Sequence, residues 1–392
     1  MIVSHVLSKT KREDVMNEQV ARTLIDHFNV LEDPRIDRTK LHLLIDIVVI
    51  AICAAICGAD GWVAVARFGQ AKEKWLRQFL ELPNGIPSHD TFGRTFAALN
   101  PDAFREIFIA WVAAIHQTCA GEIIAVDGKT LRCSFDKASA KSALHMVNAW
   151  ATQAGLSLGQ LATETKSNEI TAIPKLLDLL NIEGSTVTID AMGCQKAITG
   201  KIIDEKGDYV ISLKGNQGNL HQGVQEFFDW AENEQSADRP ELRYSETTDG
   251  DHGRIEVRRY WVSDEVDWVE NKNEWVGLRS IAMAEAERTL DGQTSVERRY
   301  FISSLPLVQS DKTARAIRAH WGVENGLHWV LDVAFHEDDC RIRTGHADEN
   351  FGIVRQIALN LLKQERTAKV GIATKRLMAG WDDAYLTKVL GF

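Results

Sequence analysis

Three stretches of this 392-residue chain carry acids in patterns that could do chemistry. Two are short apolar runs ending on an aspartate, Ile123-Ile124-Ala125-Val126-Asp127 and Val187-Thr188-Ile189-Asp190. The third, His320 to Val333, gathers Glu324, Asp332, two histidines and two tryptophans in one helical span. If Asp127, Asp190 and Glu324 meet, they form a carboxylate cage for divalent metal. Mg²⁺ takes oxygen ligands and keeps several waters, so two or three carboxylates with open positions suit it, and Mn²⁺ can take its place. Two such ions about 3.5 to 4 Å apart activate an attacking oxygen and stabilise a leaving one in phosphoryl transfer. One aspartate would bridge both ions, with Asp190 and Glu324 completing one each. Three bare acids so close repel one another, which couples their ionisation to metal.

Other residues compete for the third position. Asp332 follows Glu324 by about two helical turns, and Glu337, Asp338 and Asp339 come next, where capping or ion pairing is the simpler role. His320 and His328 flank Glu324 at four residues on either side. Such spacing could bind zinc, but no HExxH is present, so contact with phosphate or orientation of the glutamate is expected. Trp321 and Trp329 read first as core residues. Their alternative is stacking on an unpaired DNA base, worth about 1 to 3 kcal/mol per base.

The elements that must position these acids can be read in order. Apolar spacings of three and four predict helices over Val15 to Phe28, Leu41 to Cys57, Trp62 to Phe68, Lys72 to Leu80, His89 to Leu99 and Phe104 to Thr118, an all-helical N-terminal domain (1–120) able to bind DNA. Ser88 with Thr91 offers an N-cap to the helix from His89. From Gly121 strands are expected at Ile123 to Asp127, Leu144 to Thr152 and Leu156 to Thr165, with Gly128 marking a tight turn. A helix follows over Thr171 to Leu180 with Pro174 in its first turn, then a strand to Asp190, a helix over Gln195 to Glu205 and a strand over Tyr209 to Leu213. The order β-β-β-α-β-α-β is that of a ribonuclease H-like mixed sheet in an α/β core, with the first and fourth strands adjacent. Asp127 and Asp190 then project from one sheet edge. The first part of this core spans 121–235. A β-rich insertion (236–306) contains His252 to Trp261 with Arg254, Arg258 and Arg259. The second part (307–392) delivers Glu324 on a helix over Thr313 to Leu331 and ends in C-terminal helices.

The formal charge of −10 argues mildly against a nucleic-acid partner, because much of DNA affinity comes from Lys and Arg. The run Arg355, Lys363, Arg366, Lys369, Lys375 and Arg376 could still form one basic surface or a solvated helix face. Lys129, Arg132, Lys214, Asn216, Arg315 and Arg318 lie beside the acids in sequence and supply a positive rim that could attract DNA. Six cysteines without a zinc spacing point to reduced thiols of a cytoplasmic protein. The apolar run Ile47 to Cys57 is short for a membrane span of about 20 residues and reads as a core helix. No membrane association is expected.

Ile124 to Lys129, Val187 to Gln195, Leu213-Lys214-Gly215-Asn216-Gln217, and His320-Trp321-Gly322-Val323-Glu324-Asn325 with Leu327-His328-Trp329 closely resemble DDE transposases of bacterial insertion sequences, nearest to the H-repeat-associated transposase-like proteins. The resemblance covers nearly the whole chain, including Asp33-Pro34-Arg35, Gly58-Ala59-Asp60-Gly61 and Ile86 to Phe92. It implies Asp127, Asp190 and Glu324 as the catalytic and metal-binding triad, two Mg²⁺ ions, and metal-dependent DNA cleavage and strand transfer. The partners implied are double-stranded DNA, the terminal inverted repeats and target DNA, bound by a homo-oligomer. Candidate DNA contacts are Lys129, Arg132, Lys214, Asn216, Arg254, Arg318, His320, Trp321 and His328. The broader group's Tyr-Arg-Glu-Lys pattern is absent, since Ile317, His320 and Leu331 stand at its other three positions, leaving Arg318 or His328 for its phosphate-binding roles. Two alternatives stay open: a metal-dependent nuclease on the same core, and a non-catalytic DNA-binding descendant.

Overall fold

The computed structural model describes residues 24–116, 120–135, 142–163, 168–234, 240–251, 254–290 and 293–391. Nine strands form one mixed sheet in the order β3-β2-β1-β4-β5-β9-β8-β7-β6. They are β1 (Ile123–Thr130), β2 (His145–Ala151), β3 (Leu156–Thr163), β4 (Thr186–Ile189), β5 (Asp208–Leu213), β6 (Arg243–Asp251), β7 (Arg254–Ser263), β8 (Ser280–Leu290) and β9 (Gln293–Ser303). β1 pairs antiparallel with β2 and parallel with β4, and β4 pairs parallel with β5. The first and fourth strands are therefore neighbours, as the element order requires. β4 is buried along its whole length, which is why it reads as an unbroken apolar and β-branched run instead of an alternating one.

The strand-rich stretch before Glu324 is not a separate layer. β9 pairs antiparallel with β5, and β8, β7 and β6 extend the same sheet outward. His252 and Gly253 lie outside the described residues. β1 also runs three residues past Asp127, so Gly128 sits inside a strand and not in a turn. A Cβ there would come within 2.3 Å of Glu169 Oε1 and 2.7 Å of His145 Nε2, so glycine is needed for the buried pair packed over it.

The helices are α1 (Leu44–Ile56), α2 (Trp62–Leu76), α3 (His89–Ala98), α4 (Pro101–Ile115), α5 (Glu169–Leu179), α6 (Lys196–Asp204), α7 (Gly218–Asn233), α8 (Ser310–His320), α9 (Trp329–Phe335), α10 (Ala347–Gln364), α11 (Ile372–Trp381) and α12 (Asp383–Leu390). Ser88 caps α3, its Oγ accepting from the Thr91 amide at 3.2 Å. Two expected helices are one, α2, and Gly69 within it is a close-approach site, where a Cβ would meet Ile86 at 2.6 Å. α5 starts earlier than expected, so Pro174 lies in its interior, not in its first turn.

α1 to α4 share one buried cluster with β1 to β5 and with α10 to α12. α10 packs against α1, α3, α4 and β3. The N-terminal helices thus bury their apolar faces on the C-terminal ones. A smaller cluster on the other sheet face joins Ile123, Val210, Val262 and Phe301 to Ala316 and Ile317 of α8. α8 lies across β1, β4 and β5, which carries the chain after it toward the ends of β1 and β4. Among the described residues no helix is long and apolar enough to cross a membrane.

Candidate active site

The parallel pairing of β1 and β4 sets Val126 beside Ile189. Asp127 and Asp190 each come one residue later, at matching positions on neighbouring strands. Asp190 leaves the sheet, and its Oδ1 accepts from the amides of Met192 at 2.9 Å and Gly193 at 3.3 Å. Those bonds orient the carboxylate. The loop they order is buttressed in turn, because Asn216 Nδ2 donates to Ala191 O at 2.7 Å and Gln217 Nε2 to Cys194 O at 2.9 Å.

Glu324 arrives from the far end of the chain. A straight helix was expected over Thr313 to Leu331, but Glu324–His328 form a π-turn, with the Trp329 amide donating to Glu324 O five residues back. Such turns widen a helix locally and change which side chains share a face. Gly326 permits it to close on β2, since a Cβ there would meet the Trp150 ring at 2.9 Å. One ligand atom each from Asp127, Glu324 and His328 lie within 4.8 Å of one another. His328 Nδ1 stands 3.5 Å from Asp127 Oδ2 and 3.5 Å from Glu324 Oε2.

Electrostatics separates the acids. Burial pushes the Asp127 carboxyl up to about 6, with the charges of Asp190 and Glu324 adding to it against the pull of His328. Glu324 is held below its ordinary value, mainly by the His328 ring beside it. Burial, helped by Arg299, lowers the His320 imidazole to about 4 against the pull of Asp190. His320 Nδ1 lies 3.1 Å from Thr188 Oγ1, so this ring is a neutral spacer between α8 and β4.

Several expected placements change. Lys129 is not on a rim: its ammonium bonds Asp332 and lies 2.8 Å from Glu337 Oε2, and its side chain is 10% exposed. Asp332 and Glu337 thus pair with Lys129, while Glu324 is the acid of this segment that converges with Asp127. Arg132 is exposed and pairs with Asp338 at 3.3 Å. Lys214 and Asn216 are exposed, and Arg318 lies half exposed 3.6 Å from Asp249. Arg254 opens β7, and its side chain lies outside the described residues. Arg258 and Arg259 on that strand are spent on Asp249, Glu256, Glu246, Glu285 and Glu287. Trp321 and Trp329 are not core residues, being 44% and 59% exposed. The Arg299 guanidinium sits over the Trp321 ring at 4.5 Å.

The basic run of the C-terminal helices is likewise not one surface, because Arg355, Lys375 and Arg376 are buried. Arg376 donates to the carbonyls of Ala55 and Ala334, and Lys375 to that of Leu362. Sequence reasoning missed the buried pair His145 Nε2 to Glu169 Oε1, at 2.6 Å. It also missed the amide cluster behind β1, where Gln356 Nε2 donates to Asn148 Oδ1 at 2.7 Å and Gln160 Oε1 at 2.5 Å. Asn148 faces Asp127 across the β1 and β2 ladder. Polar residues recurring on one side of the otherwise apolar β2, β3 and α10 are the signal that could have found the cluster.

The chain matches the family model described as "Transposase DDE domain" over residues 119–361 and the model "DDE_Tnp_1-associated" over 25–112. It is 41% identical to "H repeat-associated putative transposase YhhI" of Escherichia coli K12, over 94% of this chain and 98% of that one. It is 42% identical to "Putative transposase YncI" of Escherichia coli O157:H7, over 94% of each. A Xanthobacter autotrophicus protein described only as "Uncharacterized protein in dhlA 3'region" is 50% identical over 71% of this chain and 92% of its own. Among solved structures, a piggyBac transposase synaptic complex with hairpin DNA aligns over 93% of this chain and 80% of that one, with 10% identity and a TM-score of 0.39, too distant to bear on the site. With the domain model spanning more than half of its length and two near-full-length relatives above 40% identity, the chain belongs to the DDE-domain transposase family, beside the H-repeat-associated transposases.

Proposed function

We propose that this chain is a DNA transposase with a ribonuclease H-like core that cleaves the ends of an insertion element and joins them to target DNA. Its catalytic acids are Asp127, Asp190 and Glu324. The observation that carries the reading is the register: two aspartates at matched positions, one inside β1 and one just past the end of β4 beside it, with a third acid brought from residue 324 to within 4.8 Å of the first. The donor set fits a hard divalent cation, since two of the three converging atoms are carboxylate oxygens. When bound, Mg²⁺ supplies polarisation of the phosphate and a more acidic water.

The chain's own residues do the rest. Asp127, held on a strand and mostly buried, presents its Oδ2 toward Glu324 and His328. Asp190 is kept in one orientation by the amides of Met192 and Gly193. With Lys129 committed inward, Arg132, Lys214, Asn216, Arg318 and Trp321 are the candidate DNA contacts with exposed side chains. DNA ends held against this edge would lie with the scissile phosphate over the acids, and a homo-oligomer would pair two ends.

The test uses a labelled element-end fragment with Mg²⁺ and a target duplex. Asp127→Asn and Glu324→Gln should each abolish cleavage while circular dichroism and DNA binding stay near wild type. Wild-type cleavage by either variant would overturn the assignment. Cleavage without joining by the wild-type chain would instead make it a metal nuclease, and DNA binding without either would make it a non-catalytic descendant.

A further inference from the structure

We infer that His328 is itself a metal ligand, giving the ion at Asp127 and Glu324 one nitrogen and two oxygen donors from the chain. The inference rests on the proposed metal site and deepens it. Nδ1 is 3.5 Å from a carboxylate oxygen on each side. That is longer than a charge-assisted hydrogen bond, which runs about 2.7 to 2.9 Å. It is close to what an intervening ion requires, because cis donors on bonds of about 2.1 Å stand about 3 Å apart. The three polar atoms facing one point need a positive charge among them, which a proton on Nδ1 supplies when no metal is bound and a cation supplies when it displaces that proton. Three groups from two distant parts of the chain converge on that point.

Burial supports the same reading. The His328 side chain is 5% exposed, so water does not compete for it, and its Nε2 has no hydrogen-bond partner among the described residues. A buried imidazole with neither nitrogen at good hydrogen-bond distance is costly, and coordination through Nδ1 offsets that cost. His328 and Glu324, four residues apart in the π-turn, lie on one face of the helix. His320, the other histidine of the segment, is occupied by Thr188. An imidazole donor also biases the site, since nitrogen ligands favour Mn²⁺ and later transition ions over Mg²⁺ more than carboxylates alone do.

Pulsed electron paramagnetic resonance of the full-length chain loaded with Mn²⁺ tests this directly. Wild-type protein should show nitrogen coupling to Mn²⁺ that changes when the protein is made with ¹⁵N-histidine. The coupling should persist in His320→Asn and vanish in His328→Gln, whose Mn²⁺ affinity should fall by about tenfold or more and by a larger factor than its Mg²⁺ affinity. Because His328→Gln could fail to fold, the labelled wild-type spectrum stands as an independent measurement. Absence of histidine coupling in wild type, with Mn²⁺ binding lost in Asp127→Asn, would overturn the role of His328 and leave the carboxylate site standing. Undiminished Mn²⁺ binding in Asp127→Asn would overturn the underlying site as well.

Discussion

Replacing Lys129 with methionine removes one charge and little volume from a cluster that ties β1 to the segment carrying Glu324. The Lys129 ammonium bonds Asp332 and Glu337, and Arg355 Nη1 lies 3.8 Å from Glu337 Oε1. Lys129 and Glu337 are 10% and 5% exposed, and Asp332 is 32% exposed. Breaking a buried pair by deleting one partner costs about 3 to 5 kcal/mol. The lower end applies, because Asp332 keeps some contact with water and Arg355 still offsets Glu337, so about 3 kcal/mol is expected from urea unfolding. The double variant Lys129→Met/Asp332→Asn should recover about 1 kcal/mol of that, since it no longer leaves the Asp332 carboxylate without its partner. A lysine on phosphate would change the salt dependence of DNA binding by about one unit of slope. No such change is expected here. A loss under about 1 kcal/mol, against the value expected for a buried pair, together with a shallower salt slope, would refute the reasoning and return Lys129 to the DNA-facing rim.

Gly128→Ala places a methyl 2.3 Å from Glu169 Oε1, so thermal unfolding should show a loss of about 1 to 3 kcal/mol from overpacking. A neutral result would mean the His145 and Glu169 pair can move aside. Asn216→Ala removes the 2.7 Å bond to Ala191 O; hydrogen exchange at residues 191–193 should rise while global stability falls by about 1 kcal/mol. Glu365 gives a pH prediction. Burial alone would raise its carboxyl, but the Thr367 hydroxyl and amide, Tyr385 hydroxyl and Ala368 amide hold it down at about 2, against an ordinary 4.5. A depressed carboxyl stabilises the fold above its unfolded value, and that contribution disappears as pH falls through the folded one. Glu365→Gln should therefore be less stable than wild type at neutral pH, by about 1 to 2 kcal/mol once screening by solvent is allowed for, the gap closing between about pH 4.5 and 2. A pH-independent gap in acid titrations would contradict this.

Much was legible from local pattern. The apolar runs ending on Asp127 and Asp190 read as strands because β-branched runs bounded by polar residues suit few other structures. The order of strands and helices was enough to set β1 beside β4, and Glu324 stood out through the density of its helix. What could not be read was any feature depending on which distant atoms share a space. Lys129 looks cationic and available in sequence, yet Asp332 and Glu337, more than two hundred residues later, enclose it. Arg355, Lys375 and Arg376 look like a basic face but are buried, Arg355 beside Glu337 and the other two donating to backbone carbonyls. Trp321 and Trp329 look like core and face outward, because what a large apolar side chain packs against is decided by neighbouring elements and not by its own helix. Within the π-turn His328 stands 3.5 Å from both Asp127 and Glu324. Periodicity records which residues a chain can bury. Only the tertiary fold decides which charges meet, because ion pairs, close approaches and turn widenings depend on partners from other elements.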